Sequence, residues 1–181
     1  MRIVLFFLIS VLFYSCNNSD SDGYIVTEDT VGIKSKEFNQ SMENVNIILT
    51  DVEDEEIDLY TQRHNLNMNK TGTGLRYLIY KNGTGECGKE GEIISLKFTL
   101  NLINGIDVYD SETEGLKKFL IGKGGVESGL EEIALIVKKG DKAKVIIPSY
   151  LGYGLLGDEK KIPKRATLIY DVEVLDISEK Q

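Results

Sequence analysis

The chain has 181 residues, with 29 acidic residues against 21 Lys and Arg, a formal net charge of −8, one His, two Cys and no Trp. This length suits one ordinary domain with an appendage or two small domains, and a hydrophobic content of 41% excludes wholesale disorder. One His and two Cys cannot build a zinc finger and leave little for a Ser-His or Cys-His catalytic pair. The acidic balance argues against a nucleic-acid partner, because such proteins need Lys and Arg to neutralise phosphates.

The first 16 residues have the pattern of an export signal. Arg2 precedes an apolar run over residues 3–14, which is shorter than the ~20 residues of a membrane span and has the length of a signal-peptide core. Cys16 follows this run directly after Ser15, an arrangement that resembles the lipobox of bacterial lipoproteins. The resemblance implies a lipoprotein signal peptide over residues 1–16 and a lipidated Cys16 thiol. It also implies an anchor on the periplasmic side of a gram-negative membrane, with the outer membrane expected. Secretion with cleavage elsewhere and an uncleaved anchor remain alternatives.

An acidic region follows the signal. Residues 17–70 contain 12 acidic residues and 4 basic ones, whereas residues 71–181 contain 17 and 16. The first part of this region, residues 17–35, begins polar and turn-rich and is predicted to be a flexible tether. Residues 36–70 are predicted to be an acidic helical arm. The negative charge therefore belongs to the region before residue 71 and says little about the substrate of the domain that follows.

Two helices are predicted in the arm. An apolar stripe with steps of three and four residues marks the first helix, and its members are Phe38, Met42, Val45, Ile48 and Leu49. Thr50 and Glu53 have the spacing of a capping box, which predicts a second helix to about Arg63. Because such a stripe prefers burial, the arm is expected to pack on the following domain, on a second copy as a homodimer, or on another partner. The charged run 51–58 is expected to be a solvated face.

From Gly74 onward the pattern is typical of strands. Alternating or continuous apolar runs bounded by turn residues predict strands at 75–80, 92–103, 106–110, 116–121, 142–147 and 166–177. One helix is predicted late in the order, with Leu130, Ile133, Ala134 and Val137 on its buried side. These elements predict an α+β domain over residues 71–181, in which a curved antiparallel sheet wraps over one short helix.

Six ordered segments in this domain resemble those of the FKBP-type peptidyl-prolyl cis-trans isomerases. They are YDS at 109–111, IGK at 121–123, VESGLE at 126–131, VKKGDKA at 137–143, IPSYLGYG at 147–154 and IPKRATLIYDVEV at 162–174. With the lipobox and the acidic arm, the chain is most similar to the lipoprotein FKBPs of gram-negative envelopes, including the gliding-motility-associated group. The resemblance implies a half-barrel sheet over a short helix, with an apolar pocket between them.

The same resemblance implies the function and the site. It implies isomerisation of X–Pro bonds in proline-containing polypeptide clients, without covalent catalysis, metal or cofactor. The residues that it places in catalytic roles are Tyr109, Asp110 and Tyr153. Those that it places in substrate binding are Phe98, Phe119, Val126, Glu127, Leu130, Ile162 and Tyr170. Among these, the backbone N–H of Glu127 would bind a substrate carbonyl and Leu130 would form the pocket floor.

Five residues differ from the family pattern. Leu130 stands where the floor Trp is usual, and Lys117 stands where an aromatic residue is expected to face the proline. Glu127 has a carboxylate in place of an aliphatic side chain, while Asp158 and Lys161 replace commoner loop residues. A second hypothesis therefore stays open, in which the fold serves mainly as a binding or chaperone module of an envelope assembly.

Overall fold

A computed structural model of the chain describes residues 28–179, with side chains from residue 36. The predicted signal peptide, Cys16 and residues 17–27 of the predicted tether lie outside the described residues. Judged by length and hydropathy, no helix within residues 28–179 qualifies as a membrane span.

One helix, α1, replaces the two that were predicted in the arm. It spans Glu28–Arg63, so residues 28–35 are helical where a tether was predicted. Thr50 does not cap a helix, because its hydroxyl donates to the carbonyl of Asn46 at 2.9 Å inside α1. A threonine hydroxyl can be satisfied by the carbonyl one turn earlier, so a capping-box spacing does not require a helix to begin there.

The apolar stripe of α1 is exposed. Ile48 is 61% exposed, and Phe38, Met42, Val45 and Leu49 are also classed as exposed. The expectation that this stripe packs on the following domain stays a prediction. Packing on a second copy stays a prediction.

Seven antiparallel strands form one sheet. Their bounds are β1 Asn69–Lys70, β2 Arg76–Lys81, β3 Glu92–Leu102, β4 Asp107–Asp110, β5 Lys117–Leu120, β6 Lys142–Ile147 and β7 Leu168–Glu179. The order across the sheet is β1-β2-β6-β7-β3-β4, and β5 also pairs with β3. Two short helices interrupt the strands, α2 at Ser111–Glu114 and α3 at Ser128–Ala134. The α+β architecture predicted from the sequence is confirmed.

The main core lies between the sheet and α3. Alternate residues of β3 are buried, as expected for a strand with one face on a core; they are Ile94, Leu96, Phe98, Leu100 and Leu102. Leu130 and Ile133 of α3 pack in the same cluster. This alternation fixes which face each β3 side chain occupies, because a shift of one residue would reverse the whole set.

A second, smaller core lies where α1 meets the opposite face of the sheet. Ile57 of α1 is fully buried against Ile146 of β6 and Ile169 of β7. This contact explains the continuous apolar runs in both strands, since each is covered on two faces. The compact unit that contains the sheet accordingly begins at Glu43 rather than at residue 71.

The charged run of α1 is not a solvated face throughout, which corrects the sequence prediction. The guanidinium of the buried Arg76 lies 2.7 Å from Asp54 Oδ1 and 2.8 Å from Asp58 Oδ1. Glu53 is buried as well. The spacing of three to four residues places Glu53, Ile57 and part of this charge on the side of α1 that faces the sheet.

Candidate active site

A cavity of about 300 Å³ opens at one end of the main core. Strands β3, β4, β5 and β7 and the end of α2 provide part of its wall, and the remainder comes from residues 150–166, named here the cavity loop. The lining residues are Phe98, Leu100, Tyr109, Glu114, Lys117, Tyr153, Asp158, Lys160 and Tyr170. Four of the predicted site residues are therefore brought together, and all four are aromatic.

The pairing of β3 with β7 positions the inner aromatic wall. Leu100 lies opposite Tyr170 in the register of these strands. The rings of Phe98 and Tyr170 are tilted by 51°, with their centroids 5.8 Å apart. Phe98 is fixed further by Ser111, whose hydroxyl accepts from the Phe98 N–H at 2.5 Å and donates to its carbonyl at 3.1 Å.

Tyr109 and Asp158 join two sides of the cavity. The Tyr109 hydroxyl donates a hydrogen bond to the Asp158 carboxylate. The other oxygen of that carboxylate accepts from the N–H groups of Lys160 and Ile162 at 2.9 and 2.7 Å. Burial alone would raise the pKa of Asp158, but these donors hold it below its ordinary value. The bond to Asp158 in turn raises the pKa of Tyr109. Asp158 therefore orders the cavity loop while it holds the Tyr109 ring.

The lining residue Lys117 forms an ion pair with Glu127, which is buried and does not itself line the cavity. The family resemblance leads us to expect apolar side chains at both positions. Lys117 Nζ is 3.0 Å from Glu127 Oε2 and 3.1 Å from the hydroxyl of Tyr170. The same hydroxyl donates to Glu127 Oε1 at 2.6 Å. The Lys117 ammonium also lies 5.5 and 5.4 Å from the ring centroids of Phe98 and Tyr170, within the range of a cation–π contact.

This cluster keeps Glu127 ionised and the nearby phenols neutral. Burial by itself would raise the pKa of Glu127, but the charge of Lys117, the Tyr170 hydroxyl and the residue's own backbone N–H together lower it. That N–H is the group predicted to bind a substrate carbonyl. Burial and the negative charge of Glu127 raise the pKa values of Tyr170 and Tyr153. Both hydroxyls remain hydrogen-bond donors at neutral pH.

Asp110 forms hydrogen bonds outside the cavity. Its carboxylate accepts from the N–H groups of Glu112 and Thr113 at 2.7 and 2.8 Å, which caps the N-terminus of α2. The Thr113 N–H and then the Glu112 N–H lower the pKa of Asp110, in spite of a smaller opposing effect of burial. Asp110 is not among the lining residues; it borders a neighbouring hollow that it shares with Tyr109.

The remaining predicted site residues lie behind the cavity wall. Phe119, Leu130 and Ile162 are buried in the main core, and Val126 packs against that core. Leu130 was predicted to form the floor of the pocket. It is fully buried and is not among the residues that line the cavity.

Sequence reasoning missed three lining residues and the cluster around Lys117. Leu100, Glu114 and Lys160 line the cavity without having been predicted. For Leu100 the signal was present, because it follows Phe98 on the same face of a strand. The unusual residues Lys117 and Glu127 were noted one by one, but only the fold places them in contact. Within the described part of the chain, no group of His, Cys, Asp and Glu side chains could hold a metal ion.

Comparisons with known proteins agree with this geometry. The chain is 38% identical over 110 residues to a probable FKBP-type peptidyl-prolyl cis-trans isomerase of Haemophilus influenzae, covering 61% of this chain and 45% of that protein. It is 36% identical over 107 residues to FkpA, an FKBP-type peptidyl-prolyl cis-trans isomerase of Escherichia coli, covering 59% and 39%. The chain thus matches less than half the length of these two relatives.

A solved structure shares the fold. The crystal structure of FkpA from Escherichia coli matches with a TM-score of 0.62 and 25% identity, covering 86% of this chain and 75% of that one. The profile of the FKBP-type peptidyl-prolyl cis-trans isomerase family matches residues 85–175, half of the chain, which include every lining residue of the cavity. The chain therefore belongs to the FKBP-type peptidyl-prolyl cis-trans isomerase family.

Proposed function

We propose that the chain accelerates the cis-trans isomerisation of X–Pro bonds in exported or envelope polypeptides. The observation on which this rests is the cavity itself, in which Phe98, Tyr109, Tyr153 and Tyr170 surround about 300 Å³. Uncatalysed exchange of such bonds takes tens to hundreds of seconds, which is slow enough to limit folding. Family membership supports the activity. The aromatic lining of the cavity supports binding of the proline ring of a substrate.

The chemistry needs no proton transfer. Amide resonance holds the X–Pro bond planar with a rotation barrier of about 18–20 kcal/mol. In the twisted transition state this resonance is lost, so the amide is less polar and depends less on water. A site that excludes water therefore disfavours the planar amide more than the twisted one. Aromatic rings hold the proline, while hydroxyl donors such as Tyr153 orient the flanking carbonyls.

Tyr153→Phe tests the proposal, with Tyr150→Phe as its matched control. Tyr150 lies on the same loop, but its hydroxyl donates to the carbonyl of Thr73 and it does not line the cavity. With residues 17–181 and Ala-Xaa-Pro-Phe peptides, we expect Tyr153→Phe to lower kcat/KM about fivefold, as for the loss of one hydrogen bond of about 1 kcal/mol. Tyr150→Phe should match the wild type. A folded wild type that does not accelerate the exchange would refute the activity.

A binding or chaperone module is the second candidate, and the Lys117–Glu127 ion pair favours it. A charged wall is a poor environment for the loss of amide polarity, but it can still hold a peptide through its donors and acceptors. Binding of a proline peptide without faster exchange, measured by NMR on one sample, would select this candidate. Faster exchange would select the isomerase.

We further propose that Cys16 carries lipid and anchors the chain in the cell envelope, on the periplasmic side of the outer membrane. The sequence pattern of residues 1–16 supports this location. Metabolic labelling with a palmitate analogue should be lost in Cys16→Ala. Cys87→Ala, which removes the other cysteine, serves as the control and should retain the label. Labelling that persists in Cys16→Ala would remove the lipid anchor.

Finally, we propose that α1 pairs with α1 of a second copy. The exposed residues Phe38, Met42, Val45, Leu49 and Val52 follow steps of four and three, which is the spacing of a two-helix seam. Light scattering of residues 17–181 should give a dimer that Val45→Glu converts to a monomer. Gln40→Glu, which adds the same charge outside this seam, should remain dimeric. A monomeric wild type at micromolar concentration would contradict the proposal.

A further inference from the structure

A buried carboxylate from α1 binds both ends of the cavity loop. Glu53 Oε1 accepts from the N–H of Ser149 at 2.6 Å, and Oε2 accepts from the hydroxyl of Ser149 at 2.8 Å. Glu53 Oε1 also accepts from the hydroxyl of Thr167 at 2.6 Å. All three residues are buried. One side chain therefore receives three donors from two segments that are far apart in sequence.

These two segments flank the cavity loop. Ser149 directly precedes the cavity loop and Thr167 directly follows it, and between them lie Tyr153, Asp158 and Lys160 of the cavity lining. Residues 150–166, all of which the structure describes, contain one short 3₁₀ turn at their start and no strand. Inside the loop, the Gly154 N–H bonds the Ser149 carbonyl at 2.8 Å. The anchoring of Ser149 thus extends to the residue next to Tyr153.

We propose that Glu53 is a positioning residue for the cavity, holding Tyr153 and Asp158 at their distance from Phe98 and Tyr109. This inference rests on the proposed isomerase function. Glu53 does not line the cavity, so it acts through the loop ends and not on the peptide. Because Glu53 belongs to α1, the cavity has its full geometry only while this part of α1 is docked on the sheet.

The three donors match the accepting capacity of a carboxylate. An ionised carboxylate accepts at both oxygens and has no proton to place against a donor, and its hydrogen bonds are charge-assisted. A glutamine at this position keeps the size, but its NH₂ group replaces one carboxylate oxygen and its amide is neutral. At least one of the three bonds is then lost or must reverse its direction, and none is charge-assisted. Glu53→Gln therefore disturbs the anchoring without opening a cavity in the core. Glu55, exposed two residues away, offers the matched control Glu55→Gln.

The experiment compares kcat and KM of residues 17–181 for Glu53→Gln, Glu55→Gln and a core variant, Ile94→Val. A misplacement of a binding site by about 1 Å can cost up to a hundredfold in rate, so we expect Glu53→Gln to lower kcat/KM by at least about tenfold. Glu55→Gln should be unchanged. Ile94 lies in the core at the far end of β3, and its variant, compared at equal fraction folded, should remain within about twofold of the wild type.

A double-mutant cycle and an NMR spectrum separate positioning from loss of stability. In a Ser149→Ala, Thr167→Val background, Glu53→Gln should have a smaller effect on kcat/KM than in the wild type, because both hydroxyl donors are gone and only the Ser149 N–H remains. Amide shifts of Tyr153 and Asp158 should move in Glu53→Gln and not in Ile94→Val, and this readout holds even if the wild type does not catalyse exchange. A loss no larger than that of Ile94→Val, an additive cycle, or unmoved amides would overturn the inference.

Discussion

Lys117 of the cavity lining forms an ion pair with the buried Glu127, with Nζ 3.0 Å from Oε2. The side chains are 21% and 4% exposed, so each charge depends on the other for compensation. Tyr170 completes the cluster through its hydroxyl. Lys117 and Glu127 are two of the residues that differ from the family pattern, and because they contact each other we interpret them as one coordinated replacement.

The first prediction concerns the coupling of these three residues. Lys117→Met leaves the Glu127 carboxylate buried without its cation and should destabilise the fold by about 3–5 kcal/mol. The combined variant Lys117→Phe, Glu127→Ile, Tyr170→Phe removes every polar partner at once and should recover most of this loss, because apolar replacements of a buried ion pair are often neutral. Urea denaturation measures both. A triple variant less stable than Lys117→Met would show that the residues act independently.

The second prediction is a pH dependence. The pKa of Glu127 is lowered in the folded chain from an ordinary value of 4.5. The ionised group therefore contributes stability above about pH 4.5, and this contribution is lost as the pH falls toward the lowered pKa. The difference in unfolding free energy between the wild type and Glu127→Gln should shrink over this window. Glu55→Gln should follow the wild type throughout, and a constant gap between wild type and Glu127→Gln would contradict the prediction.

The third prediction separates the two possible roles of Asp110. Asp110→Ala removes the cap of α2 and should lower the stability, whereas Asp110→Asn or Asp110→Ser keeps a good capping group. Thermal unfolding should rank the alanine variant lowest. If Asp110 only caps α2, the asparagine variant retains full isomerase activity. If its charge acts on the peptide, that variant is stable but slow, and the assay distinguishes these results directly.

The fourth prediction concerns the part of α1 that belongs to the folded unit. Ile57→Ala empties a fully buried site against Ile146 and Ile169 and should destabilise the chain by about 2–5 kcal/mol. Leu59→Ala, at an exposed site on the same helix, should change stability little. For the same reason a fragment of residues 71–181 should unfold at lower urea than residues 17–181. Equal midpoints for the two chains would show that α1 contributes nothing.

The positions of most strands along the chain could be predicted from the sequence. The alternation in β3 and the exact limits of β6 follow from side-chain period, which is a local property of the chain. The aromatic lining residues Phe98, Tyr109, Tyr153 and Tyr170 came from the resemblance, since each alone fits an ordinary core position. Helix α1 was divided wrongly because a capping-box spacing also occurs inside continuous helices.

By itself, the sequence determined the fold class, the family resemblance and the uneven distribution of charge. Only the tertiary structure decided what the charged residues do. Glu53 anchors the cavity loop, Arg76 pairs with Asp54, and Lys117 pairs with Glu127. Each of these contacts joins residues from different elements of the fold, and the interaction of two charges depends on their distance and burial, which residue spacing along the chain does not contain.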